Sequence, residues 1–189
     1  YVTGRFEEGF PDWMVEYNNT GGLITSHSLG TTFEAGSFIY DSVHDRIFVH
    51  NTFSRPGWWS TWDCASRSSS VSGTFETFGN TAVGATYSEV DDRYYVTWHN
   101  LSNDTRLSWV DATTFATGST ANAISRDFIQ YEAATKKIFA DAAAGVVIID
   151  PLTDTVVATV AAGEFGGVAF DPCTGKVVVA VDGVPPGSL

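Results

Sequence analysis

The fold is decided by the stretch YDSVHDRIFV, residues 40–49, because three later stretches align with it without a gap. In each of the four, an aromatic residue precedes a basic residue by six positions. That spacing leaves room for a strand end, a tight polar turn and the start of the next strand. The aromatic positions lie 47, 44 and 39 residues apart. The later stretches are YSEVDDRYYV at 87–96, YEAATKKIFA at 131–140 and FDPCTGKVVV at 170–179.

An acidic residue at the end of an apolar strand is a second landmark. It follows the first three stretches and also precedes the first, and its four occurrences are Val15-Glu16, Trp62-Asp63, Val110-Asp111 and Ile149-Asp150. A polar turn and another strand follow each acid. Every unit of about 40 residues therefore has four short strands, A to D, which is the period of a propeller blade. We predict an all-β protein, a β-propeller of four-stranded antiparallel blades with about four blades present.

The strand assignment places one β-propeller region over residues 1–183 and incomplete blades at both ends of the chain. We expect a partial blade over 1–35, full blades over 36–82, 83–127 and 128–167, a partial blade over 168–183, and a Pro/Gly tail or linker over 184–189. The first piece supplies the end of a B strand with C and D, and the last supplies A and B. The pieces either close a four-bladed ring or belong to a larger propeller. The abrupt start at Tyr1 favours a fragment.

Residues near the C-terminal end also resemble a known family. The segments VIIDPLTDTVVATV, residues 147–160, and GGVAFDPCTGKVVVA, residues 166–180, are similar to the repeat of YVTN-type β-propellers. The resemblance is close over 128–183, weaker over 36–127 and skeletal before that. It implies a secreted or surface-layer protein, although related propellers include enzymes.

Charge and composition exclude several classes of function. The 189 residues carry a formal net charge of −12, which argues against binding nucleic acid or anionic lipid. No apolar run approaches the roughly 20 residues that span a bilayer. We expect an extracellular or cell-surface location, in keeping with three N-glycosylation acceptors at Asn18, Asn100 and Asn103. Cys64 and Cys173 form either a disulfide in an oxidising compartment or two buried thiols.

The acids and histidines are candidates for chemistry, but their pattern favours structure. Each strand-end acid is expected to cap backbone N–H groups of its turn. Glu89, Asp91 and Asp92 are a candidate Ca²⁺ cluster without the spacing of a strict calcium loop. His50 and His99 are interpreted as equivalent positions at the ends of B strands. We therefore assign no catalytic, metal or cofactor-binding residue.

Adjacent tryptophans provide the candidate binding surface. Strand alternation should bury one of Trp58 and Trp59 between blades and leave the other more exposed. Our leading hypothesis is a non-catalytic extracellular structural or interaction protein, which binds copies of itself or other extracellular proteins and assembles into a filament or surface layer. The alternatives are a carbohydrate- or protein-binding module using Trp58 and Trp59, and an enzyme of the propeller lactonase or hydrolase type.

Overall fold

The computed structural model contains only strands and turns among the residues it describes. These are residues 2–4, 12–17, 20–30, 35–51, 57–75, 81–99, 105–120, 128–142, 145–160 and 164–182. They form seventeen strands in five antiparallel sheets. Over these ranges, no helix has the length and apolar character needed to cross a membrane.

Three of the five sheets have four strands each, joined in sequence order. The second sheet contains β4 (Ala35–Asp41), β5 (Arg46–Asn51), β6 (Trp58–Asp63) and β7 (Ser68–Thr74). The third contains β8 (Thr81–Ser88), β9 (Arg93–His99), β10 (Thr105–Asp111) and β11 (Thr117–Thr120). The fourth contains β12 (Ile129–Glu132), β13 (Lys137–Ala142), β14 (Gly145–Asp150) and β15 (Thr155–Val160).

The sheets at the two ends of the chain have fewer strands. The first contains β1 (Val2–Gly4), β2 (Asp12–Tyr17) and β3 (Leu23–Gly30), and the fifth contains β16 (Glu164–Asp171) and β17 (Lys176–Asp182). The first sheet thus has three strands and the fifth two, and the assignment of these pieces to particular strands of partial blades stays a prediction. Within the described chain these are two separate sheets, so the four-bladed ring is not formed. The chain is a partial propeller of about four blades.

The A strands, which open the second to fifth sheets, lie beside one another. β4 lies against β8, β8 against β12, and β12 against β16. Neighbouring sheets thus meet along their first strands and fan outward, as blades do around a propeller axis. The repeat explains this geometry because every unit presents the same strand at the same depth.

Hydrophobic clusters fill the junctions between successive sheets. Alternate B-strand residues face opposite neighbours, since side chains alternate across a strand. In β5, Ile47 and Val49 pack with Met14 of the first sheet, while Phe48 packs with Tyr94 of the third. This alternation buries the B strands on both faces, and it accounts for their near-continuous apolar sequence.

The A–B turns share one backbone conformation. The residue before each B strand has a positive φ: 51° at Asp45, 56° at Asp92, 56° at Lys136 and 69° at Gly175. Aspartate and glycine tolerate this region better than most residues. The shared conformation makes the six-residue aromatic-to-basic spacing a recurring hairpin.

Two tryptophans in C strands lie over glycines in the adjacent D strands. Trp59 is paired with Gly73 and Trp109 with Gly118. A β-carbon added to either glycine would come within 2.6 Å of the Trp59 ring or 2.3 Å of the Trp109 ring. The glycines therefore provide the space that the indole rings occupy.

Candidate functional site

The sequence predicted that all four strand-end acids cap turns, and Asp63, Asp111 and Asp150 do so. Asp63 Oδ1 accepts a hydrogen bond from the Ser66 N–H at 2.6 Å. Asp111 Oδ1 accepts from the N–H groups of Thr113 and Thr114 at 3.0 and 2.6 Å, and Asp150 Oδ1 accepts from Leu152 at 3.1 Å. The Ser66 N–H holds the pKa of Asp63 below its usual range. These carboxylates stabilise local backbone and do not converge.

Glu16 departs from that expectation. It lies inside β2, one residue before the strand ends, and its Oε1 accepts a hydrogen bond from Arg67 of the second sheet at 3.3 Å. Glu16 therefore connects the first and second sheets. It does not cap a turn, because β2 continues one residue further than the repeat predicted.

A second set of carboxylates caps the A–B turns at equivalent positions. Glu132 accepts from the N–H groups of Ala134 and Thr135, and Asp171 accepts from the Cys173 N–H at 2.9 Å. Asp41 accepts in the same way from Val43 and His44, each at 3.0 Å. Among these capping acids, Asp41 also has partners in the next sheet.

The candidate site is the cluster formed by Asp41, His44, Tyr87, Asp92 and Tyr94, between the second and third sheets. Asp41 is fully buried, and its Oδ2 accepts a hydrogen bond from the Tyr94 hydroxyl. The same oxygen lies 2.7 Å from His44 Nδ1. Burial by itself would raise the pKa of Asp41, but the hydrogen bonds from Tyr94 and His44 outweigh it and hold the pKa below its usual range.

The far side of the His44 ring faces the turn of the third sheet. Its Nε2 lies 3.6 Å from Asp92 Oδ2, and its side chain is 21% exposed. Asp92 accepts hydrogen bonds from Tyr87 at 2.8 Å and from the Thr113 hydroxyl at 2.7 Å. The imidazole therefore lies between two carboxylates that belong to different sheets.

This arrangement can share a proton between sheets, but it does not present an activated nucleophile. A histidine acting as a general base needs the proton of a reacting group within reach of its outer nitrogen. Here that nitrogen faces Asp92. Burial, together with hydrogen bonds to carboxylates, raises the pKa of Tyr87 and of Tyr94 above the ordinary value. Both phenols thus keep their protons at neutral pH.

The next junction places a different set of groups in the corresponding location. Arg93 Nη1 donates to Asp154 Oδ2 at 3.1 Å, and its guanidinium lies 4.1 Å from the centroid of the Trp109 ring. The Tyr95 hydroxyl, which has one proton to donate, lies 2.5 Å from Asp91 Oδ2 and 3.0 Å from Asp154 Oδ1, with Asp91 the nearer acceptor. Burial raises the pKa of Asp91 above its usual range.

The candidate Ca²⁺ cluster is not brought together. Asp91 is directed to Tyr95 and the fourth sheet, Asp92 to His44 and the second sheet, and Glu89 is exposed. No three His, Cys, Asp or Glu residues in the described ranges are grouped so that they could hold a metal ion. The two adjacent acids lie in the A–B turn, where the positive φ of Asp92 directs its side chain away from that of Asp91.

Strand alternation buries Trp59 and leaves Trp58 more exposed, as predicted, so Trp59 drops out of the candidate binding surface. Trp59 is 1% exposed and stacks with Phe48 and Phe115, at centroid distances of 6.0 and 5.9 Å. Trp58 is half-buried and packs towards the Met14 cluster. The two rings thus face opposite sheet junctions, and Trp59 cannot belong to a binding surface. The loop before them, residues 52–56, lies outside the described residues.

The proposed equivalence of His50 and His99 was also wrong. Arg46 and Arg93 stand opposite the strand-end acids Asp63 and Asp111, which fixes the common register. His50 lies four residues after Arg46, whereas His99 lies six residues after Arg93. The residue equivalent to His50 is therefore Thr97. His50 is buried, with its ring 6.3 Å from that of Trp98. The His99 side chain lies outside the described atoms.

The structure describes both cysteines but none of the three glycosylation acceptors. Cys64 is half-buried and Cys173 exposed, and both are thiols. They lie in turns of the second and fifth sheets, so neither the disulfide nor a pair of buried thiols is found. Asn18, Asn100 and Asn103 fall outside the described residues, and their glycosylation stays a prediction.

Sequence reasoning missed the cluster around His44. A signal was present: Asp41 and His44 are three residues apart in one turn, and Asp92 occupies in the next repeat the place that Asp45 has in the first. Only the packing of adjacent sheets shows that His44 reaches across to Asp92.

Comparisons with known proteins identify the fold and no family. No protein-family model and no curated protein matches the sequence. Among similar solved structures, the Dos1 propeller has a TM-score of 0.59 at 11% identity, covering 91% of this chain and 50% of that one. The Pan2 WD40 domain of Neurospora crassa has a TM-score of 0.62 at 11% identity, covering 89% and 54%. A chain from a nidogen–laminin complex has 0.59 at 8% identity, covering 90% and 66%. This chain thus spans about half the length of the first two.

Proposed function

We propose that this chain is a non-catalytic propeller module of the YVTN type that binds other proteins outside the cell. The proposal rests on one observation: the titratable side chains at the sheet junctions bind to the neighbouring sheet. Asp41, His44, Asp92, Arg93 and Asp154 all contact a neighbouring sheet. Groups engaged in this way build a rigid support, and rigid supports with exposed turns are suited to binding partners.

The extracellular part of the proposal rests on the sequence. A net charge of −12 suits solubility outside the cell. The three acceptor motifs are of the kind glycosylated in the secretory pathway. One of the similar structures also comes from a complex between two proteins, although that property belongs to that protein.

Cross-linking on the native protein tests the binding function. The sequence has three lysines, Lys136, Lys137 and Lys176, all at A–B turns. In the extracellular fraction of the source organism, amine-reactive cross-linking with mass spectrometry should connect these lysines to other polypeptides. Links confined within single copies of the chain would contradict the proposal. Detection of the protein in the intracellular fraction alone would contradict the proposed extracellular location.

A lactonase or hydrolase is the second candidate, and one observation favours it. Asp41 is a buried carboxylate that orients a partly exposed imidazole, as carboxylates do for catalytic histidines. The enzyme hypothesis predicts turnover of lactone or ester substrates that is lost in His44→Gln. The binding hypothesis predicts no turnover in either protein, and an unchanged melting temperature after chelation of divalent metals. Activity lost in His44→Gln, with Thr153→Ala in the exposed turn of the fourth sheet as a control that keeps it, would establish the enzyme.

A further inference from the structure

The Tyr95 hydroxyl lies between two carboxylates that belong to different sheets. Asp91, in the A–B turn of the third sheet, places its Oδ2 2.5 Å from the hydroxyl oxygen. Asp154, in the C–D turn of the fourth sheet, places its Oδ1 3.0 Å from the same atom. Tyr95 itself is fully buried. Each distance is short enough for a hydrogen bond, so the hydroxyl joins the third sheet to the fourth.

One phenolic proton cannot serve two ionised carboxylates. A tyrosine hydroxyl donates a single hydrogen bond, and an ionised carboxylate only accepts. Burial and the hydrogen bond to Asp91 raise the pKa of Tyr95 above its ordinary value, so the hydroxyl keeps its one proton at neutral pH. With both acids ionised, one of the two contacts would bring oxygen atoms together without a proton between them. A proton on one acid removes this conflict, because that acid then donates to Tyr95 while Tyr95 donates to the other.

Burial and the position of Arg93 decide which acid takes the proton. The Asp91 side chain is 8% exposed and that of Asp154 is 31% exposed. Arg93 Nη1 lies 3.1 Å from Asp154 Oδ2 but 3.7 Å from Asp91 Oδ2. Burial disfavours a charged carboxylate and a close cation favours it. Both effects therefore assign the proton to Asp91.

The other groups around Asp91 leave that assignment in place. The Ser88 hydroxyl and the Arg93 guanidinium favour its ionised form, but burial outweighs them and raises the pKa of Asp91. Tyr131 of β12 has its own pKa raised to about 12, by burial first and then by nearby negative charge. It therefore remains a neutral phenol. The carboxylates whose charge acts on Tyr131 are Glu89, Asp91 and Glu132.

We propose that Asp91 is protonated in the folded protein and donates to Tyr95, which donates to Asp154, so that a proton closes a tie of two hydrogen bonds between the third and fourth sheets. The inference goes beyond the binding function proposed above and does not depend on it. When the pH rises through the titration of Asp91, this proton passes to solvent. Tyr95 then donates to one acid only, and the tie loses one of its two hydrogen bonds.

The titration of Asp91 is the first test. Carbon NMR of the aspartate carboxyl groups follows each titration, and the signal missing from Asp91→Asn identifies Asp91. Its midpoint should lie above the ordinary aspartate value of about 3.9. A midpoint at or below that value would overturn the proposal, because Asp91 would then be ionised whenever the tie is present.

A double-mutant comparison tests whether Tyr95 connects the two acids. Asp154→Ala should lower the Asp91 midpoint in any background, since it removes a negative charge and releases Arg93. With Tyr95 present it also removes the acceptor of the second hydrogen bond. The shift should then exceed that in Tyr95→Phe by at least about half a pH unit, the equivalent of one net hydrogen bond. Equal shifts would show that the charge acts through space alone and would refute the tie.

Tyr94→Phe is the matched control for Tyr95→Phe. Both variants keep a buried ring and remove a hydroxyl from β9, but the Tyr94 hydroxyl binds Asp41 at the opposite junction. Tyr94→Phe should leave the Asp91 midpoint and its response to Asp154→Ala unchanged. A response reduced as far as in Tyr95→Phe would mean that the effect does not pass through Tyr95. Circular dichroism confirms that each variant is folded.

Amide hydrogen exchange measures the consequence for the junction. The Leu152 and Thr153 N–H groups bond within the turn that carries Asp154. Relative to Tyr95→Phe at each pH, their protection in the wild type should fall as the pH rises through the Asp91 midpoint. Protection that stays in a constant ratio to that of Tyr95→Phe would contradict a proton-dependent tie. None of these measurements involves a binding partner, so failure of the proposed function would leave their outcome unaffected.

Discussion

The junction between the second and third sheets and the junction between the third and fourth have the same architecture and different chemistry. In both, the base that opens a B strand reaches the C–D turn of the next sheet. Arg46 Nη1 donates to the Ala112 carbonyl at 2.9 Å, and Arg93 Nη1 donates to Asp154 Oδ2 at 3.1 Å. The repeat therefore decides where successive sheets are tied together, while the residue in each turn decides the kind of bond.

The cores of the two junctions differ in the same way. Phe48, Trp59, Tyr94 and Trp98 fill the first with rings, whereas the second is mainly aliphatic, with Leu107, Ile129, Ile138 and Ile149 among its members. Both fillings bury apolar side chains, and the hydrophobic free energy follows the apolar area removed from water whichever residues supply it. One backbone repeat therefore accommodates two quite different packings.

The buried acids of the two junctions differ in the direction of their pKa shifts. Asp41 receives hydrogen bonds from Tyr94 and from the turn, so its charged form is favoured. Burial is the largest influence on the pKa of Asp91 and raises it, so the charged form of Asp91 is disfavoured. Asp41 and Asp91, at different positions of successive A–B turns, thus respond to pH in opposite senses.

The largest loss of stability is expected from a substitution that disrupts the aromatic junction between the second and third sheets. Trp98 is 1% exposed and contacts the Phe75 ring at 5.0 Å. Trp98→Ala should lower the free energy of unfolding by about 4 kcal/mol, because the lost burial and the remaining cavity both count. Trp109→Ala, at a half-buried ring under Arg93, should cost about half as much. Urea unfolding followed by circular dichroism measures both, and equal losses would mean that the junctions do not differ as described.

A smaller loss is expected from the buried carboxylate. Asp41→Ala should lower the free energy of unfolding by about 3 kcal/mol, since the Tyr94 hydroxyl and two turn N–H groups lose a buried acceptor. Asp171→Ala is the matched control. It removes the same turn cap in the fifth sheet, where the residue is more exposed. The control should lose clearly less stability, and a loss equal to that of Asp41→Ala would assign the whole effect to the turn.

The smallest expected effect is on the pH dependence of stability, which should have opposite signs for Asp41 and Asp91. Because the folded pKa of Asp41 is lowered, its contribution to stability is present above the ordinary aspartate value of about 3.9 and is lost as the pH falls through the folded pKa. Because the folded pKa of Asp91 is raised, its contribution is present below about 3.9 and is lost as the pH rises through the folded pKa.

Two conservative variants measure that difference. The stability of the wild type relative to Asp41→Asn should decline when acid is added below about pH 4, and relative to Asp91→Asn it should decline as the pH rises above about 4. Urea midpoints of the wild type and both variants, measured between about pH 3 and pH 7, test this. Parallel curves for the two variants would contradict the opposite shifts.

Much of the fold could be predicted from the sequence because a propeller repeats short-range information. The aromatic-to-basic spacing fixed each A–B hairpin, and the capping roles of Asp63, Asp111 and Asp150 followed from their position before turns. The candidate site could not be predicted so well. Its atoms come from two turns about 48 residues apart, and the separate partners of Asp91 and Asp92 are present only when both neighbouring sheets are in place.

The errors have the same origin. Glu16 was assigned to a turn because β2 was expected to end one residue early. Trp59 was a candidate for a surface because strand alternation indicates that one of two neighbours is buried, but not whether the other face meets solvent or a further sheet. In a stack of sheets both faces of a strand are covered, so alternation separates two junctions instead of inside from outside.

By itself, the sequence determined the strands, their order within each sheet and the turns between them, because hydrogen bonds between chain neighbours and capping side chains act over a few residues. Only the tertiary structure decided which side chains meet across sheets: Asp41 with Tyr94, His44 with Asp92, and Arg93 with Asp154. The physical reason is that these contacts depend on the packing of whole sheets against each other. A repeated local pattern places the sheets in series, but it does not specify which atoms come into contact.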